Sequence, residues 1–399
     1  MWMLGGIALL AAAIVAAELV SRWWIRRKGD YFVMPPGLRM KVCPDPDIYP
    51  DLERTAMFEV NSDGERGQET PRRDPGLYRI LVGGGSQAEG VFLDQQTTWP
   101  GALQRTLETP DNLVRLGASK VHVGCVARSG VGAEALDLMF ERMLPRYPRL
   151  QLIITLVGVT DLMRWLEQGT PSTLEPVRTT DLFRCHPEGP FGWMPRETAV
   201  WELLRRKRRR WLRPVDVHEH AGKWLRKAQA MRAQATNVIH DTPDPSPMLD
   251  HFERHFRRVL RRARAHSDRV IVIRQPWLHK QLRPEEDARL WHGGRGQAWR
   301  EEITTYYSYD VFTKLMWLLD ARAATVARAL DVEQIDLMPM LEPTLATFYD
   351  GLHLTPAGSK VVTDTVTAAV LRQPIPRTQT VRGDGRTDGH HRHASLQAS

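Results

Sequence analysis

Residues 78–85 read YRILVGGG, and this stretch constrains the fold more than any other. Four residues of the buried type run straight into three glycines. That is the pattern of a core strand of a parallel sheet that ends in a tight turn. Four further segments share the apolar character: KVHVGCVA at 120–127, QLIITLVGV at 151–159, RVIVIRQ at 269–275 and the weaker VEQIDLM at 332–338. Helical spacing occupies the intervals, as in AEALDLMFERML at 133–144 and in the final AGSKVVTDTVTAAVL, which ends at Leu371. Strands that alternate with helices predict an α/β fold, a short parallel sheet covered on both faces in a three-layer α/β/α sandwich.

The glycine turn itself, VGGGSQAEG at 82–90, admits two readings. Gly83, Gly85 and Ala88 fit the G-x-G-x-x-A of a dinucleotide loop. That reading needs an acidic residue at the end of the next strand about 20 positions on. The next strand starts only near Lys120 and ends without one. The alternative is a serine nucleophile, Ser86, held at a strand-to-helix turn. The segment DGLHLTPAG at 350–358 decides between them. Asp350 stands three residues before His353, just ahead of a helix. At that spacing the carboxylate reaches one ring nitrogen and leaves the other for a serine hydroxyl. Both loops fall at the carboxyl edge of a parallel sheet, where such folds bind ligands.

These residues resemble the SGNH/GDSL hydrolase family. The likeness runs over about 78–372 and extends weakly into FEVNSDGERG just before. The family's first block, GDS, is Gly84-Gly85-Ser86 here, with the expected Glu89-Gly90 after it; the aspartate that supports the turn is absent. The second block is a glycine whose amide lines the oxyanion hole, matched by Gly130. The third, G-x-N-D, reads Gly158-Val159-Thr160-Asp161, with threonine in place of the asparagine donor. The fourth, D-x-x-H, is complete at Asp350 and His353. The resemblance implies a flavodoxin-like SGNH fold and a serine ester hydrolase. Ser86, His353 and Asp350 form its triad, and the amides of Ser86 and Gly130, with Thr160, hold the oxyanion. No cofactor or metal is expected. The implied substrate is an O-acyl ester of a glycan or a lipid. An O-acyltransferase using the same triad, and an inactive membrane-tethered binding protein, remain alternatives.

The N-terminus adds a tether. Residues 1–21 carry a single charge, Glu18, and are just long enough to cross a bilayer. Trp23 and Trp24 follow, then Arg26, Arg27 and Lys28. No basic region precedes the apolar run, so a membrane anchor fits better than a cleaved signal peptide. The charges after the run favour a cytoplasmic body. The resemblance implies an exported one, and the reading leans only slightly to that side. Residues 22–77, rich in Pro, Asp and Gly, read as an extended connector. Residues at about 165–265 read as a basic helical insertion, and 373–399 as a disordered polar tail.

The net charge of +8 is mostly arginine and gives no reason to expect nucleic acid as a partner. The run Arg205 to Arg210, with Arg213 and the interleaved Trp201, Trp211 and Trp224, suits contact with a membrane surface. His251 and His255 do not form an HExxH motif and read as a surface pair. His218 and His220 have no cysteine partners, and the tail histidines His390, His391 and His393 offer incidental metal affinity at most. Cys43, Cys125 and Cys185 are too few for a disulfide framework, and no CxxC suggests zinc.

Overall fold

The structure, a computed structural model, describes residues 2–28, 31–71, 74–184, 198–209, 215–217 and 222–372. The polar tail at 373–399, Cys185, Trp211, Arg213, His218 and His220 lie outside the described residues.

Five strands build the central sheet: β1 (Leu77–Gly84), β2 (Lys120–Cys125), β3 (Leu150–Leu156), β4 (Ser267–Ile273) and β5 (Glu333–Ile335). They pair in the order β2-β1-β3-β4-β5, every pair parallel. This is the doubly wound order, in which the connection reverses beside β1 and opens a crevice at its carboxyl end.

Nine of the helices, in chain order, are α1 (Trp2–Lys28), α2 (Ser86–Glu89), α3 (Trp99–Leu107), α4 (Ala133–Met143), α5 (Val159–Glu167), α6 (Ala199–Arg209), α7 (Ser246–His266), α8 (Tyr309–Ala329) and α9 (Pro356–Leu371). Side-chain alternation along the strands feeds two cores. Leu81, Ile153 and Val272 face one side and pack with Phe140 of α4, Phe252 and Phe256 of α7 and Phe312 of α8. Ile80, Val82, Val123 and Ile154 face the other, against Trp99 and Leu103 of α3 and Val362 and Val366 of α9. Each such side chain, fully removed from water, contributes about 1.5–3 kcal/mol. The three-layer α/β/α arrangement expected from the strand pattern is therefore observed.

Two boundaries differ from the sequence reading. The expected connector is packed rather than extended over 31–71. Arg39–Val42 pairs antiparallel with Ala56–Glu59 and parallel with Val215–Val217. Val42, Phe58 and Val60 bury together beneath it. Four-residue strands are too short to show a period, and Pro-Asp turns between them look like linker. The expected insertion also ends too late. Its last part, α7, is a core helix whose Phe252, Phe256, Val259 and Leu260 lie buried against the sheet, and its arginines occupy the opposite face.

Helix α1 runs on to Lys28, and its segment Gly5–Ile25 is long and apolar enough to cross a membrane. Ile7, Leu9, Leu10, Ile14, Val15, Leu19 and Val20 are each more than half exposed, so the protein itself does not cover them. Glu18, the one acid in the span, accepts the backbone N–H groups of Ala199 (3.0 Å) and Val200 (3.2 Å) and pairs with Arg22, the span's one base, at 2.8 Å. It thereby satisfies two orphan donors at the start of α6. Ile25 and Ala199 bury each other completely, with Leu203 beside them.

Candidate active site

β1 ends in glycines because its surroundings leave no room for side chains. A Cβ on Gly84 would stand 2.3 Å from the carbonyl oxygen of Leu156, and one on Gly83 2.8 Å from the Phe140 ring. The chain turns through extended Gly85 and begins α2 at Ser86. The second loop, 347–355, is pinched by a bridge between Phe348 and Leu354 and by Tyr349 N–H donating to the His353 carbonyl (3.0 Å). Thr355 caps α9 by accepting from Gly358 N–H at 3.2 Å. The cap and the D-x-x-H pair therefore coexist in one turn.

The two loops meet. His353 Nε2 lies 2.8 Å from Ser86 Oγ, and His353 Nδ1 lies 2.8 Å from Asp350 Oδ2. A carboxylate can only accept, so Nδ1 carries the ring proton and Nε2 is left to accept from the serine hydroxyl. Asp350 is almost wholly buried, and its other bonds hold it still. Leu352 N–H (2.8 Å) and His353 N–H (2.7 Å) donate to Oδ1, and Trp291 Nε1–H (2.9 Å) donates to Oδ2. Burial raises the Asp350 pKa, but the His353 charge, its hydrogen bond and those from Trp291 and the backbone outweigh it, leaving the carboxyl at about 2. For His353 burial pulls the pKa down, and the Asp350 carboxylate raises it by more, so the net shift is upward from 6.5. The Trp291 and Tyr349 rings lie nearly parallel to the imidazole, at 6.4 Å and 5.4 Å between centroids.

The remaining expected residues, Gly130 in a loop and Thr160 in the first turn of α5, lie around the same turn. A Cβ on Gly85 would approach the Val131 carbonyl oxygen at 3.1 Å and Thr160 Oγ1 at 3.6 Å. The loop of Gly130 and the start of α5 thus flank the serine. Gly130 has φ of +81°, in the left-handed region that favours glycine. Asp161, next to Thr160, accepts Ala133 N–H through both oxygens (2.9 and 3.0 Å) at the start of α4. Burial pushes its carboxyl up to about 7 despite that bond. It positions the loop and lies behind the site.

Two further supporting residues, Gln87 and Arg66, escaped the sequence reading. Gln87 Nε2 donates to the carbonyls of Pro276 (2.8 Å) and Leu352, and Gln87 Oε1 accepts from Gln275 at 2.6 Å, so the residue after the serine is tied to the residue before the histidine. Arg66, from the misread segment, donates to the carbonyls of Glu89, Gly90 (2.9 Å) and Leu93 (2.7 Å) and to Gln95 Oε1 (2.9 Å). Burial lowers its pKa to about 10, against the pull of nearby Cys125, Glu89 and Asp94. Glu89 Oε2 in turn accepts from Ser129 N–H (2.7 Å) and from the Ser129 hydroxyl, beside Gly130. The Glu89-Gly90 pair was the only signal in the sequence for this clamp.

His251 and His255 are not a surface pair. Both are largely buried between α7 and α4, His255 Nδ1 at 3.1 Å from Asp137 and His251 Nε2 at 3.3 Å from Glu134. Ligand atoms of Glu134, His251 and His255 lie within 4.8 Å of one another. The Glu134 carboxylate is already engaged by Arg164 (2.8 Å) and Val177 N–H (3.0 Å), so the group forms part of a polar network joining α4 and α7.

No family model and no curated protein matches the chain. Solved structures do resemble it in outline. An acetylxylan esterase from Geobacillus stearothermophilus is 11% identical, covering 76% of this chain and 97% of that one at a TM-score of 0.39. A lipolytic protein of the G-D-S-L family from Veillonella parvula is 9% identical, over 74% of this chain and 100% of that one, at 0.40. The protein TesA is 12% identical, over 73% and 99%, at 0.38.

Proposed function

We propose that the chain is a membrane-tethered serine hydrolase acting on O-acyl esters of a glycan or a lipid. The observation that carries this reading is the continuous relay from Ser86 Oγ through His353 to Asp350, both links 2.8 Å long. In the first step Ser86 Oγ bonds to the ester carbonyl carbon, and its proton passes to His353 Nε2. The C–O bond to the alcohol then breaks, and the alcohol leaves with that proton. Water repeats the sequence on the acyl-enzyme and releases the acid. Asp350 holds the tautomer and offsets the imidazolium charge. The amides of Ser86 and Gly130, with the Thr160 hydroxyl, are the proposed oxyanion donors; losing one such donor costs about 3–4 kcal/mol in barrier. Retention of α1 as an anchor is supported by Glu18, which holds the start of α6 and would be lost with a cleaved leader.

The test is labelling with a fluorophosphonate probe, mapped by peptide mass spectrometry, alongside turnover of a short-chain p-nitrophenyl ester. Adduct on Ser86 with measurable turnover is expected. Turnover with the adduct on another residue would overturn the assignment, and no adduct together with no turnover would leave the inactive binding protein as the better reading.

A further inference from the structure

A cleft of about 710 Å³ lies at the opposite edge of the sheet from Ser86. Arg79, near the start of β1, lines its floor, and Arg146 comes from the turn before β3. Arg206 and Lys207 of α6 and Trp24 of the anchor helix complete the wall. Phe32 forms a platform beneath the cations: the Arg146 and Arg206 guanidinium carbons stand 4.4 Å and 5.0 Å from its ring centroid. Such packing holds guanidinium groups in place without neutralising them.

The charge balance in the cleft is uneven. Arg79 is matched by buried Glu65 at 3.3 Å, with the cleft's acid Asp63 at 3.8 Å, and Arg206 is matched by Glu202 at 2.9 Å. Among the described residues no carboxylate pairs with Arg146 or Lys207. Arg146 donates to the Asp63 backbone carbonyl (2.8 Å), and Lys207 is exposed. Arg79 Nε is buried with no hydrogen-bond partner among the described residues. A fixed, partly desolvated arginine beside an exposed lysine is the donor set that phosphate oxygens take.

Place decides which phosphate. Trp24 sits at the end of the segment Gly5–Ile25, where a spanning helix leaves the hydrocarbon. With α1 in a bilayer, the cleft stands at the level of the lipid headgroups. We propose that this cleft binds the phosphate-bearing headgroup of an anionic bilayer lipid and so fixes how the body sits on the membrane. The site is separate from the triad and does not depend on the hydrolase reading.

The experiment is isothermal titration of the full chain in a neutral detergent with three probes: dihexanoyl phosphatidylglycerol, dihexanoyl phosphatidylcholine and inorganic phosphate. The expected result is binding of the phosphatidylglycerol at least tenfold tighter than either other probe. The preference should fall at least tenfold in Arg146→Gln/Lys207→Gln, whose melting curve serves as the folding control. Should that variant not fold, Lys207→Gln alone and a salt series on the unaltered chain decide the matter, with a severalfold loss of affinity expected between 50 and 300 mM NaCl as screening lengths shorten (roughly 14 to 6 Å). Equal affinity for the two lipids, phosphate binding as tight as lipid, or indifference to both variant and salt would each overturn the proposal.

Discussion

The carboxyl-edge loops and the segment 31–71 both serve the serine, but they do so in different ways. In the proposed reaction the loops supply the reacting atoms from two short stretches, in which Ser86, Asp350 and His353 are specified by their immediate neighbours. The segment 31–71 supplies no reacting atom. It sends Arg66 across the fold to grip three carbonyls and an amide behind the turn, and Glu65 into a pocket where Gly124 has no side chain to oppose it. A Cβ on Gly124 would stand 2.4 Å from the Glu65 carboxyl carbon. Burial raises the Glu65 pKa, and His122, Arg79 and Asn61 together bring it down to about 2. Chemistry is thus encoded locally, and the frame that holds it is encoded at long range.

The comparison sharpens under mutation. The largest effect is expected at the loops: Ser86→Ala, His353→Ala and Asp350→Asn should each lower ester turnover by roughly 10⁴-fold, the first two with unchanged melting and Asp350→Asn with some loss of stability, because its amide NH2 would face buried N–H donors. Loss of melting temperature in step with turnover would move these residues into the frame. Next comes Arg66→Ala. It removes a buried charge and leaves carbonyls unsatisfied, for a stability loss of about 3 kcal/mol or more by denaturant unfolding. The exposed Arg39–Glu59 pair is the control, and Arg39→Ala should cost less than about 1 kcal/mol. A near-neutral Arg66→Ala would mean that the segment merely decorates the site.

The pH profile gives a smaller and cleaner signal. As the proposed general base His353 works only when neutral, and its pKa is raised above 6.5, so kcat/KM should fall as pH drops through a value above 6.5. In Asp350→Asn the raising charge is gone while burial stays, and the residual acid limb should move below 6.5. A limb at the same pH in both proteins would show that another group titrates. The smallest change is expected at Thr160→Asn. Turnover should hold or rise a few-fold, because the residue lies at the edge of the turn beside Gly85. A large loss would show that the threonine has a role of its own.

How much of this was legible follows from the same division. The five strands announce themselves through runs of Val, Ile and Leu, and the triad through one glycine turn and one D-x-x-H. Trp291 could not be found that way. Its partner Asp350 is 59 residues on, and nothing in WHGGRG marks a donor. Arg66 was one arginine among 46, its partners 23 to 29 positions away. The two departures from the resembled blocks, Gly85 for aspartate and Thr160 for asparagine, look independent in sequence. In the fold Thr160 Oγ1 stands 3.6 Å from where a Gly85 side chain would begin. Restoring one without the other therefore changes the space available to both, and the two substitutions should couple when combined.

Strand β1 is also a ruler. Arg79 stands in the cleft proposed to meet the membrane and Ser86 just past the strand's far end, seven residue steps apart. At about 3.3 Å per step that is roughly 23 Å. If the cleft rests among headgroups as proposed, the serine is held well clear of them, beyond the reach of an ester lying flat in the same leaflet. Selection then acts on height before chemistry. Acyl groups carried on a polymer that rises from the surface, or arriving from solution, meet the serine, and those embedded beneath it do not. Shortening or lengthening the path between α1 and the body should shift turnover of surface-tethered esters while leaving that of a soluble ester unchanged.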